Sequence, residues 1–231
     1  MEPSADFTAV TFLSFDVFGT LISVRDSSYG AFEHILGEAS GPDVDVKAFW
    51  ECWEEKNIEG YWEPYRPYRD ICRASLSSAF KAFGLQGDPD SIQHYFDAFQ
   101  SFELYEDVPS TLTELQKSYQ LAVVSNIDDD LLAMTPLMHD FGDLFSLVCT
   151  AEKAKGYKPD GTLFRYLLNK ADVGTDGIFH SGQSQFTDMV GAKPLGIKMA
   201  WINRRGIDLS PHVPKPDYTY PDIKSLFSLF G

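Results

Sequence analysis

The feature that most constrains the fold is an alternation of short apolar runs with helical stretches in the second half of the chain. Leu121 to Val124, Leu144 to Cys149, Gly177 to His180 and Lys198 to Ile202 read as strands, while Asp129 to Met138, Gly161 to Lys170 and Asp188 to Leu195 read as helices between them. Strands separated by helices imply a parallel sheet covered on both faces. An earlier run, Val10 to Phe15, is broken by Asp16 and Gly19 and supplies a further buried strand with a carboxylate at its C-terminal end. Ligands of such sheets bind at the carboxyl ends of the strands. Asp16, Ser125-Asn126 and the segment Ser181 to Asp188 all fall there.

The stretch between the first strand and this alternation has a different character. Ser28 to Leu36, Asp45 to Trp62, Tyr68 to Phe83 and Pro89 to Phe102 read as helices, and no strand is expected among them. Gly84, Gly87 and Asp88-Pro89 separate the last two. The chain is therefore expected to be α/β, a doubly wound Rossmann-like parallel sheet core with an inserted all-helical cap. Residues 1–22 and 108–231 would form the core and 23–107 the cap. Ser110 to Tyr119 reads as a core helix, and the proline-rich tail as a loop until a last helix, Ile223 to Phe230.

With 231 residues and 44% hydrophobic content the chain can bury a real core. Thirty-four acidic against 19 basic residues give a net charge of −15, which disfavours phosphate-backbone binding as the main task. A locally basic site for a small anion is still compatible with that balance. Three scattered cysteines, Cys52, Cys72 and Cys149, fit neither a disulfide framework nor a zinc cluster. The N-terminus lacks the basic and apolar regions of a secretory signal, and no apolar run of about 18 residues is present to span a membrane. A cytoplasmic setting is expected.

Four segments carry candidate chemistry. Phe15-Asp16-Val17-Phe18-Gly19-Thr20 offers a carboxylate at a tight turn, with backbone N–H groups and the Thr20 hydroxyl around it. Val124-Ser125-Asn126 ends a strand in small polar groups, and Gly156-Tyr157-Lys158-Pro159 holds a lysine on an extended stretch. Ser181-Gly182-Gln183-Ser184-Gln185-Phe186-Thr187-Asp188 closes the set. Each also has a plainer reading: a glycine turn, a helix cap, a solvated charge. His34, His94, His139, His180 and His212 show no ligand spacing, and His180 reads as a buried strand-end residue.

In order and spacing the four segments resemble the haloacid dehalogenase (HAD) superfamily. Its motifs are an aspartate nucleophile, a Ser or Thr, a Lys and an acidic loop, and it carries a helical cap after the first motif. The phosphatase branch of that superfamily has a second Asp two residues after the nucleophile and a magnesium-ligating Asp five residues before the last one. Here those positions are Phe18 and Gln183. The first cannot donate a proton, and the second is a poorer ligand for a hard cation than a carboxylate. Both departures resemble the L-2-haloacid dehalogenase branch, which needs no metal.

That resemblance implies Asp16 as nucleophile, Lys158 offsetting its charge, Asp188 positioning or deprotonating water, and Thr20 supporting Asp16. Val17, Phe18, Ser125, Asn126, Gln183 and Gln185 would surround a small anionic organic substrate, with Trp62 and Arg66 from the cap. No cofactor is expected; magnesium would belong to the alternative of a phosphatase. A third alternative is a repurposed member that binds a ligand or partner through its cap. A homodimer is implied by resemblance alone.

Two further departures matter. The dehalogenases use a cap arginine to receive halide, and Glu51 stands in the comparable stretch. Arg66, Arg69 or Arg25 would have to replace it. The tyrosine expected six residues after the motif lysine is Phe164. Seven aromatics crowd into residues 49–68, where helix packing is the ordinary use and one or two would face the cleft.

Overall fold

The structure is a computed structural model and describes residues 7–231. Residues 1–6 of the expected core segment, and with them much of the N-terminal stretch read as lacking a secretory signal, lie outside the described residues. Six parallel strands form the sheet: β1 (Phe12–Phe15), β4 (Gln120–Ser125), β5 (Phe145–Thr150), β6 (Ile178–Gly182), β7 (Lys198–Ile202) and β8 (Tyr218–Tyr220), in the order β5-β4-β1-β6-β7-β8. Two short strands, β2 (Ile22–Ser23) and β3 (Glu103–Leu104), pair antiparallel outside that sheet.

The apolar runs become strands because both faces of the sheet are covered. Leu13, Phe15, Leu121, Val123, Ala200 and Ile202 bury into one core cluster. Their alternates Phe12, Ala122, Val124, Met199 and Trp201 bury into the other. This two-residue alternation between two apolar layers is what a doubly wound sheet requires. In register, Phe15 lies opposite Val123 and Ser181. The chain leaves β1 toward β4 and later returns to β6 on its other side. The carboxyl ends of β1, β4 and β6 therefore bound one crevice at the topological switch point.

The segment between β2 and β3 is helical: α1 (Arg25–Glu38), α2 (Val46–Gly60), α3 (Tyr68–Phe83) and α4 (Gln93–Asp97), the last flanked by 3-10 turns. Asp45 caps α2, accepting from the Ala48 N–H at 2.9 Å. Gly84 ends α3 with φ +68°. Aromatic rings hold these helices together: Phe32–Trp53 and Trp53–Tyr95 centroids are 4.9 Å apart, and Tyr95–Phe99 5.0 Å. Ring contacts of this kind add to area burial. Yet four of the seven aromatics in residues 49–68, Trp50, Trp53, Tyr61 and Tyr68, also line the cavity over the strand ends, more than the one or two expected, because the packed face of the helices continues into the cavity wall.

The structure differs from the sequence expectations where elements are short. β2 and β3 put a strand pair at the edge of a region expected to be all helix, because two-residue strands carry no periodic signal. The expected helix Pro89 to Phe102 is three shorter turns. Ser110 to Tyr119 is α5 (Val108–Leu115), and Asp129 to Met138 is divided between α6 (Asp129–Ala133) and α7 (Pro136–Phe141), because the Thr135 hydroxyl and Pro136 start a new helix. In the fourth segment a π-helical turn, Gln185–Met189, replaces an α-helix beginning at Asp188. β8 lies in the tail expected as loop, three residues long between prolines.

Candidate active site

The site is built on the turn after β1. Gly19 takes φ +84°, a conformation that favours glycine, and a Cβ there would come within 3.0 Å of the Gln183 amide. The Val17 carbonyl accepts from the N–H groups of Thr20, Leu21 and Ile22 at 3.2, 2.8 and 3.0 Å. Val17 thus shapes the turn and is fully buried. The Thr20 hydroxyl donates to Asp16 Oδ2 at 2.7 Å and accepts from the Gln183 N–H at 2.9 Å. It ties the first segment to the fourth.

Lys158 enters from an extended stretch and is 1% exposed. Its backbone N–H donates to Asn126 Oδ1 at 2.9 Å. Gly191 lets the chain pass close by, since a Cβ there would lie 2.0 Å from the Lys158 carbonyl oxygen. The ammonium donates to Asp16 Oδ1, to the Val124 carbonyl at 3.1 Å, and lies 2.7 Å from Asp188 Oδ1. An ammonium has three donors, and all three are engaged.

Asp188 is fully buried. Its Oδ2 accepts from the Ser184 N–H at 3.0 Å, and its Oδ1 lies 3.3 Å from His180 Nε2. His180 Nδ1 is 2.9 Å from the Ser14 hydroxyl. Phe164 meets the His180 ring edge-on at 4.8 Å. His180 is therefore a buried positioning residue for Asp188.

The electrostatics follow from burial. Desolvation raises the Asp16 carboxyl above the usual aspartate value, and nearby Asp188 adds to this against the opposing pull of Lys158. Burial alone would raise Asp188 as well, but Lys158 and His180 outweigh it and hold that carboxyl down to about 2. Burial opposes the charge on Lys158, yet Asp16 and Asp188 raise its pKa overall. The cluster carries two carboxylates and one ammonium.

A cavity of about 380 Å³ opens over Asp16, between the strand ends and α2. Asp16, Phe18, Lys158, Ser125, Asn126, Gln183 and Gln185 line it; Val17, expected beside the substrate, does not, because its side chain is buried in the core. Ser125 Oγ and Asn126 Nδ2 are buried without a hydrogen-bond partner. Gln185 is spent otherwise: its amide donates to the Asp208 carbonyl at 2.8 Å and accepts from the Ser210 N–H at 2.7 Å. It holds the loop after β7.

The expected cap contacts fall elsewhere. Trp62 follows the end of α2, is 56% exposed and does not line the cavity. Arg66 lines a separate groove with Asp70 and Arg73, while its backbone carbonyl accepts from the Tyr157 hydroxyl at 2.8 Å. Arg69 pairs with Asp130 at 2.7 Å. Of the arginines named from sequence as replacements, Arg25 alone reaches the cavity.

Arg205 and Glu54 also line the cavity and were missed by the sequence reading. Arg205 follows β7, at the strand end where ligands gather, and that rule could have found it. Its neighbour Arg204 is structural, making two bonds to Asp107 at 2.9 and 3.1 Å and one to the Thr20 carbonyl at 2.7 Å. Glu54 sits on the α2 stripe Trp50, Glu54, Ile58, at helical four-residue spacing. Burial raises its pKa against the pull of Arg205 and Arg25.

Gln183 stands where the phosphatase resemblance implies a magnesium ligand. With its amide oxygen toward Arg205, it accepts from Nε at 3.0 Å and Nη2 at 2.8 Å. A guanidinium at that oxygen opposes a second cation. Lys158 and Thr20 each engage one Asp16 oxygen, and the ammonium already supplies a positive charge there. Among the described residues no three His, Cys, Asp or Glu side chains gather as a metal-holding group. This donor set does not suit a hard divalent ion.

Comparison with known proteins identifies the family. A family model for haloacid dehalogenase-like hydrolases matches residues 13–202. An (S)-2-haloacid dehalogenase from Pseudomonas sp. (strain YL) is 22% identical over 224 residues, 94% of this chain and 93% of that protein. A phosphoserine phosphatase from Thermus thermophilus is 25% identical over 211 residues, 88% of this chain and 79% of that protein. The solved L-2-haloacid dehalogenase from Xanthobacter autotrophicus with chloropropionic acid covalently bound has a TM-score of 0.79 at 18% identity, covering 96% of this chain and all of that one.

Proposed function

The chain belongs to the haloacid dehalogenase-like hydrolases, and we propose that it hydrolyses a small anionic organic substrate, of the 2-haloacid type, through an ester on Asp16 and without a metal ion. The observation that carries this reading is the Lys158 ammonium lodged between Asp16 and Asp188. It supplies the fixed positive charge beside the nucleophile.

In the first step an Asp16 oxygen attacks the carbon bearing the leaving group. A carbon–oxygen bond forms, the carbon–halogen bond breaks, and halide departs with the bonding pair. Halide needs no general acid, which accords with Phe18 where a phosphatase carries its acid. Ser125 Oγ and Asn126 Nδ2, buried donors without partners, suit the substrate carboxylate. Water then attacks the Asp16 carbonyl carbon, releasing the hydroxy acid and regenerating the carboxylate. One halide and one proton leave per turnover.

Asp188 is better suited to positioning than to deprotonating that water. A carboxyl held down to about 2 and engaged by Lys158, His180 and Ser184 is a weak base. Its part is to keep Lys158 charged and aimed at Asp16. Among the described residues no helix is long and apolar enough to cross a membrane, and a cytoplasmic setting is part of this proposal.

The test is product release from 2-chloropropionate enantiomers and from phosphate esters, with and without EDTA. Halide release that is insensitive to EDTA and absent in Asp16→Asn is expected. EDTA-sensitive phosphate release would overturn the reading and favour the phosphatase alternative.

A further inference from the structure

The floor of the cavity leaves a question of charge. Lys158 has no donor to spare, because Asp16, Asp188 and the Val124 carbonyl use all three. The other cations that line the cavity, among the described residues, are Arg25 and Arg205. Arg25 extends over the Trp50 ring, 5.7 Å from its centroid. Arg205 places two of its five donors on Gln183 and keeps the rest.

These guanidiniums are near enough to act on each other. Burial and then Arg25 lower the Arg205 pKa, with Glu54 opposing. Glu54 is the carboxylate placed with them; Glu51 and Glu55 also line the cavity but are exposed to solvent. Neither arginine forms an ion pair with Glu54 within contact distance. Two guanidiniums and one carboxylate leave a single unbalanced positive charge. Beside them Trp50 Nε1 is a buried donor without an acceptor. Such a donor, next to two under-used guanidiniums, lacks an oxygen ligand.

The cavity also has room beyond a three-carbon acid. About 380 Å³ lies in the size range of pockets that take considerably larger ligands. We infer that Arg25, Arg205 and Trp50 form a second, donor subsite for a terminal carboxylate, so that the substrate is a 2-substituted dicarboxylate. Ser125 and Asn126 take the first carboxylate, and the second spans to the arginines. One net positive charge matches one carboxylate, and the planar fork of a guanidinium suits its two oxygens. This inference rests on the reading of the site as one for an anionic organic substrate.

Calorimetric titration with unreactive acids tests it: propionate, succinate and the monoamide succinamate, against the full chain and against Arg205→Gln and Arg25→Gln. The expected result is succinate binding at least about tenfold tighter than either comparator, the scale of one charge-assisted pair. That ratio should fall toward one in each variant. Equal affinity for succinate and succinamate, or a ratio unmoved in both variants, overturns the inference. Should Arg205→Gln not fold, the unaltered chain and Arg25→Gln still decide it. A succinate preference without halide release from any 2-haloacid keeps the subsite and overturns the dehalogenation chemistry. Halide release from 2-chloropropionate without a succinate preference does the reverse.

Discussion

Lys158 Nζ lies 2.7 Å from Asp188 Oδ1, with 2% of the lysine side chain and none of the aspartate side chain exposed. The same ammonium holds Asp16. A buried pair of this kind is a poor route to stability, because desolvation offsets the attraction. Its use here is to fix the nucleophile.

Lys158→Met should remove activity and also weaken the fold. It leaves two carboxylates buried without their common counter-ion, at a cost of about 3–5 kcal/mol. Denaturant unfolding at neutral pH should record that loss. Because both carboxylates can then be relieved by protonation, the deficit should shrink as pH falls.

The acid limb of activity should report Asp16. Burial and the Asp188 charge raise this carboxyl above its ordinary value of 3.8. A nucleophile must be ionised, so kcat/KM for halide release should fall as pH drops through a pKa above that value. In Asp188→Asn the limb should move to lower pH, since one of the raising charges is gone. A limb unmoved or shifted upward would contradict this electrostatic coupling.

The Arg204–Asp107 clamp should lose its contribution to stability in acid. Burial raises Asp107, but Arg204 bonds and charge outweigh it and lower its pKa below 3.8. A depressed carboxyl stabilises the fold above the unfolded pKa and loses that contribution as pH falls through the folded one. Asp107→Asn should therefore cost about 2 kcal/mol at neutral pH, since the pair is only partly buried. The difference from the unaltered chain should vanish in acid, as thermal melts across pH would record.

Magnesium should not stabilise the protein. With its amide oxygen toward Arg205, Gln183 meets a guanidinium, and the Lys158 ammonium already neutralises charge at Asp16. Melting temperature should be the same with millimolar magnesium and with EDTA. A rise on adding the ion would mean that these side chains rearrange around it.

Asp16, Lys158 and Asp188 were legible through the resemblance of four ordered segments to the motifs of the superfamily, since each segment alone also reads as a glycine turn, a helix cap or a solvated charge. The parallel sheet was legible because strands buried on both faces are written as unbroken apolar runs. β2, β3 and β8 were not, since two or three residues carry no period. Trp62 was expected as a cap residue facing the substrate on a helix running to residue 62, but α2 ends at Gly60 and Trp62 lies exposed beyond it. Arg205 was hidden beside Arg204: adjacent residues of one type take different tasks once the chain bends after β7. One clamps Asp107, and the other enters the cavity. The −15 charge conceals this local pair of cations.

The most direct test of the Asp16 ester is a single turnover in heavy-oxygen water with enzyme in excess over a 2-haloacid, followed by mass spectrometry of the Asp16 peptide and of the product. The expected result is label in the Asp16 carboxylate and an unlabelled hydroxyl in the first product, because water attacks the aspartyl carbonyl. Label in the product hydroxyl with none in Asp16 would mean direct attack of water on the substrate and would contradict nucleophilic catalysis by Asp16.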